Sequence, residues 1–216
     1  NAVAERLSKA GACELVAQAL HVHVANDEIA HWACTAIQIL SCQVDDNRKR
    51  FGEANACELV TRALEQHMSR AATVRVAYAV VQNMCSDIDS NRKQFGAAGA
   101  CGVVTRALQQ HLSNADNCKD ACAAITNLCN TANRIALGSA GACELVTRAL
   151  REHVAVAATA EMACRAIVSL CNDKNCGNAL RFRAAGAKDA ATRAVKRYAG
   201  VGGDALQWAL NAAKCL

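Results

Sequence analysis

An all-α solenoid is the fold class this chain predicts. Three observations lead there: one line of text recurs from end to end, apolar residues fall at helical spacing, and proline is absent. The line is clearest at Cys57-Glu-Leu-Val-Thr-Arg-Ala-Leu-Glu-Gln-His67. It returns at Cys13, Cys101 and Cys143, and in degenerate form at Lys188, in steps of 44, 44, 42 and 45 residues. A helical period of that size marks stacked units, none of which buries its apolar face alone. The expectation is a single solenoid over 1–216, divided into repeats 1–44, 45–88, 89–130 and 131–174 with a terminal, capping repeat at 175–216.

Each unit opens with a short polar helix: Asn47-Arg-Lys-Arg-Phe51, Asn91-Arg-Lys-Gln-Phe95, Asn133-Arg-Ile-Ala-Leu137 and Asn178-Ala-Leu-Arg-Phe182, with residues 1–10 a shortened copy. The repeated Asn is read as a helix-start residue. Phe51, Phe95, Leu137 and Phe182, with Leu7, are the apolar anchors one turn later. A connector follows, Ala-Gly-Ala in four copies and Ala-Asn-Ala at Asn55. Gly and Asn tolerate the left-handed backbone of a helix C-terminus, so this connector ends one helix and turns into the next.

The second helix keeps a stripe of Cys57, Val60 and Leu64, repeated as Cys13, Val16, Leu20, as Cys101, Val104, Leu108 and as Cys143, Val146, Leu150. Its Glu14, Glu58 and Glu144 near the start and His23, His67, His111 and His153 near the end suit the helix dipole. The third helix is longer, expected over 27–41, 71–85, 116–129, 159–171 and 204–215. Ala33, Ile37 and Leu40 and their copies form its buried side. The fifth unit is more polar at Lys188, Lys196, Arg197 and Tyr198, as the end of a stack requires.

Composition removes several classes of function. The net charge of +5 is modest and its basic residues are distributed through every repeat, while only seven residues are aromatic. Neither a nucleic-acid arm nor a polybasic membrane anchor is expected. No apolar run approaches the roughly 20 residues of a membrane span, and the first residues lack the apolar core of a signal peptide. The chain begins without Met and inside a repeat, as a fragment or processed chain would. Fourteen cysteines read as small apolar core residues. Equivalent helices in neighbouring units pack about 8–10 Å apart, beyond the Cα separation of about 7 Å that a disulfide spans. Reduced thiols and an intracellular setting, cytoplasmic or nuclear, follow as expectations.

The same spacing rules out metal ions shared between matching His or Cys residues, because each ligand stands only about 2.0–2.3 Å from zinc. Cys118 and Cys122, one turn apart with Cys129 two turns on, are the local exception. They carry the alternative of a thiol-based redox or metal sensor, against a bland reading as packed core thiols. The glycines stand singly at helix ends apart from Gly202-Gly203, which lacks a following Lys-Ser/Thr, so there is no phosphate loop, and no catalytic set converges. A non-enzymatic protein with no cofactor and no metal is expected.

Three helices per unit, written Asn-Arg-x-x-Phe, then Ala-Gly-Ala, then an amphipathic pair, resemble the armadillo repeat over almost the whole chain. The resemblance implies a right-handed superhelix whose third helices line a concave groove that binds proteins, often as extended segments. Family members such as importin-α and β-catenin carry a ladder of Asn on that helix, and importin-α a Trp four residues earlier. Here the Asn positions hold Ile39, Asn83, Asn127 and Ser169, and the Trp positions hold Thr35, Ala79, Ala123 and Arg165. Continuing one turn earlier, the exposed line begins with His31, Arg75, Lys119 and Glu161. This set of twelve is the candidate partner-binding face. With the Trp slots absent and Arg75, Lys119 and Arg165 supplying positive charge, the expected partner is an extended acidic or phosphorylated protein segment, with neither nucleic acid nor membrane insertion involved. A nuclear-transport adaptor and a regulatory domain of a larger protein are the alternatives within binding functions.

Overall fold

The computed structural model describes residues 2–173 and 176–216; the expected boundary between the fourth and fifth repeats, at 174 and 175, lies outside them. Among the described residues there are fifteen helices and no strand, and the helices group in threes. The first unit holds α1 (Ala2–Lys9), α2 (Ala12–His23) and α3 (Asp27–Ser41). The second holds α4 (Asp45–Glu53), α5 (Ala56–Gln66) and α6 (Ala71–Cys85). Then come α7 (Asp89–Ala97), α8 (Ala100–Gln110) and α9 (Ala115–Leu128), followed by α10 (Thr131–Ser139), α11 (Ala142–Glu152) and α12 (Ala157–Cys171). The last unit is α13 (Asn178–Ala184), α14 (Ala187–Tyr198) and α15 (Gly203–Cys215).

The connector behaves as its residues dictate. Gly11, Gly99, Gly141 and Gly186 all have φ between 76° and 90°, and Asn55 takes the same left-handed turn at φ 60°. Asn is the residue besides Gly that enters this region at little cost, which explains the one exception in the row. Two third helices are capped by asparagines, Asn26 accepting from the Ile29 amide and Asn114 from the Asn117 amide, both at 3.0 Å.

Neighbouring units share one apolar core. The third helices stack in the order α3, α6, α9, α12, α15, and the second helices lie against them. The expected stripes are buried throughout, except that Val16 in the first unit is only partly covered. Phe51, Phe95, Leu137 and Phe182 are completely enclosed, and each such side chain contributes about 1.5–3 kcal/mol by leaving water. Leu7, expected in that row, is instead 48% exposed, because the first unit has no unit before it in the structure to close over α1.

The repeated Asn is not a helix start. Asn47, Asn91 and Asn133 are the third residues of their helices, and only Asn178 is a first residue. All four are buried, and their amide groups tie each unit to the one before. Asn91 Nδ2 donates to the Met84 carbonyl at the end of α6 (2.8 Å) and to the Arg48 carbonyl of α4 (3.0 Å). Asn47, Asn133 and Asn178 make the matching pair of bonds, to Leu40 and Ala4, to Leu128 and Arg92, and to Leu170 and Arg134. A buried amide is tolerated chiefly with its hydrogen bonds made. Here both protons of each amide are taken, by one carbonyl near the end of a third helix and one on the first helix of the preceding unit, while Oδ1 of Asn178 has no partner among the described residues.

Room for this pin comes from a glycine five residues after the preceding Asn. A Cβ on Gly52, Gly96 or Gly138 would run into the Oδ1 of Asn91, Asn133 or Asn178. In the last unit the corresponding residue is Arg183, which donates from Nε to the Leu216 carbonyl at 2.6 Å. The Arg after Asn47, Asn91 and Asn133 has its own task at the end of a third helix. Arg48 Nε reaches Ser41 O (2.9 Å), Arg92 Nε reaches Asn127 O (3.0 Å) and Arg134 Nε reaches Ser169 O (2.9 Å).

The histidines are likewise seam residues, and their role is not confined to the helix dipole. Nε2 of His67, His111 and His153 lies 2.7 Å from the carbonyls of Val24, Met68 and Leu112 in the preceding unit. A carbonyl only accepts, so Nε2 carries the proton. In the last unit Tyr198 stands at the His position, and its hydroxyl donates to Val154 O at the same 2.7 Å.

Candidate functional site

The third helices α3, α6, α9 and α12 lie side by side, and their line of His31, Thr35, Ile39, Arg75, Ala79, Asn83, Lys119, Ala123, Asn127, Glu161, Arg165 and Ser169 runs across them. Between α3, α6 and α9 is an open cleft of about 490 Å³, bordered by His31, Gln38, Ala72, Arg75, Ala79 and Gln82. Small side chains line it, Ala72 exposed and Ala79 half-buried, whereas Ala123 on α9 is buried and does not border it. Ile39, by contrast, is 59% exposed, as is Trp32 at 61%.

Two asparagines set the geometry. Asn83 Nδ2 donates to Gln38 O of α3 at 3.1 Å, and Asn127 Nδ2 donates to Gln82 O of α6 at 2.8 Å. Each bond uses one amide proton and fixes the plane of the group. The second proton and the Oδ1 acceptor take no part in that bond, a donor and an acceptor on one side chain. The Asn127 and Ser169 backbones are themselves held by Arg92 and Arg134, so the seam locates the groove residues. Thr35 spends its hydroxyl within its own helix, on the His31 carbonyl at 2.9 Å.

The charges are arranged differently from the free cationic face expected. Arg75 Nε sits 3.0 Å from Asp120 Oδ2, with Asp116 at 3.9 Å. Lys119 meets the other oxygen of Asp120 at 3.3 Å, and Arg165 meets Glu161 at 3.7 Å while stacking 5.2 Å over the Trp208 ring. Across α3, α6, α9 and α12 there are three cations and five carboxylates. Positive charge alone cannot select a ligand here. Asp116, Asp120, Gln38 and Gln82 are the residues that reading single helices misses. A signal exists: Asn83 and Gln38, Asn127 and Gln82, and Arg75 and Asp120 are all 45 residues apart, about one repeat interval.

One further polar cluster links the first two units beside this line. Asp27 accepts from Thr73 Oγ1 (2.9 Å) and Arg70 Nε (2.8 Å), with His67 Nδ1 at 3.7 Å. Partial burial pushes the Asp27 carboxyl up, but the bonds from Thr73 and Arg70 outweigh it and hold it below the usual carboxylate value.

The cysteines stand apart from this chemistry. All fourteen are free and ten are buried. Burial pushes the Cys118 thiol up to about 12 and raises Cys122 as well, the reverse of an activated thiolate. No group of three His, Cys, Asp or Glu among the described residues is placed to hold a metal ion, and no helix is long and apolar enough to cross a membrane.

No protein-family model matches the sequence, and a search of curated proteins gives no match. Solved structures do resemble it. An engineered protein superposes with a TM-score of 0.85 at 19% identity, over 99% of this chain and 84% of its own. A designed armadillo repeat protein gives 0.85 at 21% identity, over 100% of this chain and 87% of its own. A second, in complex with the peptide (KR)4, gives 0.82 at 21%, over 100% and 86%. With the triplets of helices, the left-handed connectors and the stacked third helices, these likenesses identify the fold: the chain is an armadillo-type repeat solenoid.

Proposed function

We propose that the chain is a non-enzymatic binding scaffold that holds an extended protein segment along the groove of α3, α6, α9 and α12. The observation that carries this reading is the pair Asn83 and Asn127. Each presents a remaining amide proton and an Oδ1 from matching places on adjacent third helices. Adjacent helices pack about 8–10 Å apart, and two residues of extended chain advance about 6.6–6.8 Å. A gently curved segment would therefore meet one amide every two to three residues through its own backbone groups. That a designed armadillo repeat protein of the same fold is in complex with the peptide (KR)4 supports a peptide segment as the kind of partner. The ion pairs refine the expected acidic preference. An acidic segment would have to displace Asp116, Asp120 or Glu161 from Arg75, Lys119 and Arg165, so the groove reads backbone amides more than charge, and a segment of low net charge suits it. The many buried thiols favour a reducing compartment, cytoplasm or nucleus.

Selection of a displayed random-peptide library on the wild-type chain, followed by calorimetric titration of the enriched peptides, tests the proposal. Enriched peptides should lose about 1–3 kcal/mol of affinity on each of Asn83→Ala and Asn127→Ala, as when hydrogen-bond partners are removed, with the melting temperature nearly unchanged. Peptides that bind both variants as tightly as wild type would exclude the groove.

A further inference from the structure

The net charge of the chain belongs to one unit. Residues 1–174 contain 17 Lys and Arg and 17 Asp and Glu, while residues 175–216 contain seven and two. The basic residues are indeed spread through the sequence, as expected from reading it, but only in the last unit are they not balanced by carboxylates.

The hydrogen-bonding pattern makes the same division. Ion pairs between described residues all fall between Asp27 and Arg165. On α14, Lys188, Arg193, Lys196 and Arg197 are all exposed and none is in an ion pair. At about 100° per residue, these four project over one half of the helix together with the exposed Asp189, the one carboxylate among them, which leaves a net charge of +3 on that face, and Ala187, Ala190, Ala191 and Ala194 bury the other half. Arg151, from the end of α11, extends to the connector before α14 and donates to Ala185 O at 3.1 Å. It adds a fifth cation to the same end of the molecule.

We infer that this outer face of α14 is a second docking surface, separate from the groove, and that its partner is an acidic protein segment. Charge complementarity is the first reason: a cation not already paired gains more from an incoming carboxylate than Arg75 or Lys119 would. Side-chain chemistry is the second. Phe182 and Tyr198 are buried and Trp208 lies under Arg165, so no ring is offered for stacking on bases. The exposed apolar residues of this unit are aliphatic, Leu180 at 67% on α13 and Val201 at 82% in the turn after α14. Size is the third. The twelve residues of α14 span about 18 Å, the length of five or six residues of extended chain at about 3.3 Å each. An acidic segment with aliphatic residues near its ends matches that surface.

The test is fluorescence anisotropy of a labelled eight-residue peptide, six Glu flanked by Leu, against three forms of the full chain: wild type, Lys188→Glu/Arg193→Glu/Lys196→Glu/Arg197→Glu, and Arg75→Glu/Lys119→Glu. Circular dichroism melting confirms that each is folded. A duplex DNA oligonucleotide and phosphatidylserine vesicles are run in parallel. The expected result is peptide binding that weakens as salt rises from about 0.05 M to about 0.3 M, falls about tenfold or more in the α14 variant, and is unchanged in the groove variant. Equal binding by the α14 variant would overturn the assignment of the surface. Binding of only the DNA or only the vesicles would overturn the assignment of the partner. Loss in the groove variant instead would return acidic recognition to the groove.

Discussion

The seam between units and the line along the groove are built from the same residue types and treated in opposite ways. At the seam, Asn91, Asn133 and Asn178 are buried, and each places its Nδ2 on two carbonyls. In the groove, Asn83 and Asn127 place Nδ2 on one. Cations divide in a similar way: Arg92 and Arg134 grip helix-end carbonyls, while Arg75 and Arg165 face carboxylates at the surface. The residues written almost identically in each unit hold units together, and those that vary from unit to unit, such as Ile39, Asn83, Asn127 and Ser169, face outward. A repeat protein can change its ligand only where its text is free to change.

Substitutions at the seam should have the largest effects. Gly96→Leu drives a side chain into Asn133. Replacing a helical glycine gains up to about 1 kcal/mol of helix propensity, but overpacking at a closed contact costs about 1–3 kcal/mol, and losing the Asn133 bonds adds more. A net loss of roughly 2–4 kcal/mol in urea unfolding is expected. His153→Phe should cost about 1–2 kcal/mol by leaving Leu112 O with only the weak thiol donor of Cys118, at 3.1 Å. His153→Tyr should recover much of this, because Tyr198 makes the equivalent bond in the last unit.

The smallest effect lies at Asp27. Its folded carboxyl sits below the ordinary value, so its stabilisation is present above the unfolded value of about 3.9 and is lost as pH falls through the folded one. The gap between wild type and Asp27→Asn, under about 1 kcal/mol for so accessible a pair, should therefore close as urea midpoints are measured from neutral pH downward. A gap that widens on acidification would contradict the assigned interactions.

Much of this architecture was legible in the sequence. Third helices at 27–41 and 71–85 match α3 and α6, because caps and helical periodicity are local. Asn55 could be placed in a left-handed turn for the same reason. The role of Asn47 and its copies was not legible, because the carbonyls that receive their amides come from the preceding unit, up to 44 residues away in Asn178. The Gly five residues after Asn in three units, replaced by Arg183 in the last, was the available clue. The same limit hid the pairing of Arg75 with Asp120: charge on a helix face is visible in one line of text, but its neutralisation requires the next.

One measurement addresses the division between seam and groove directly. Asn127→Ala and Asn133→Ala make the same chemical change six residues apart, and each variant would be taken through both thermal unfolding and titration with a groove-selected peptide. Asn133→Ala is expected to lower the melting temperature by roughly 4–8 °C, and as long as it stays folded to bind peptide nearly as wild type does. Asn127→Ala is expected to melt within about 2 °C of wild type and to bind at least about tenfold more weakly. If Asn127→Ala instead melts as low as Asn133→Ala, or keeps full peptide affinity, the groove asparagines are structural and the proposed site is wrong.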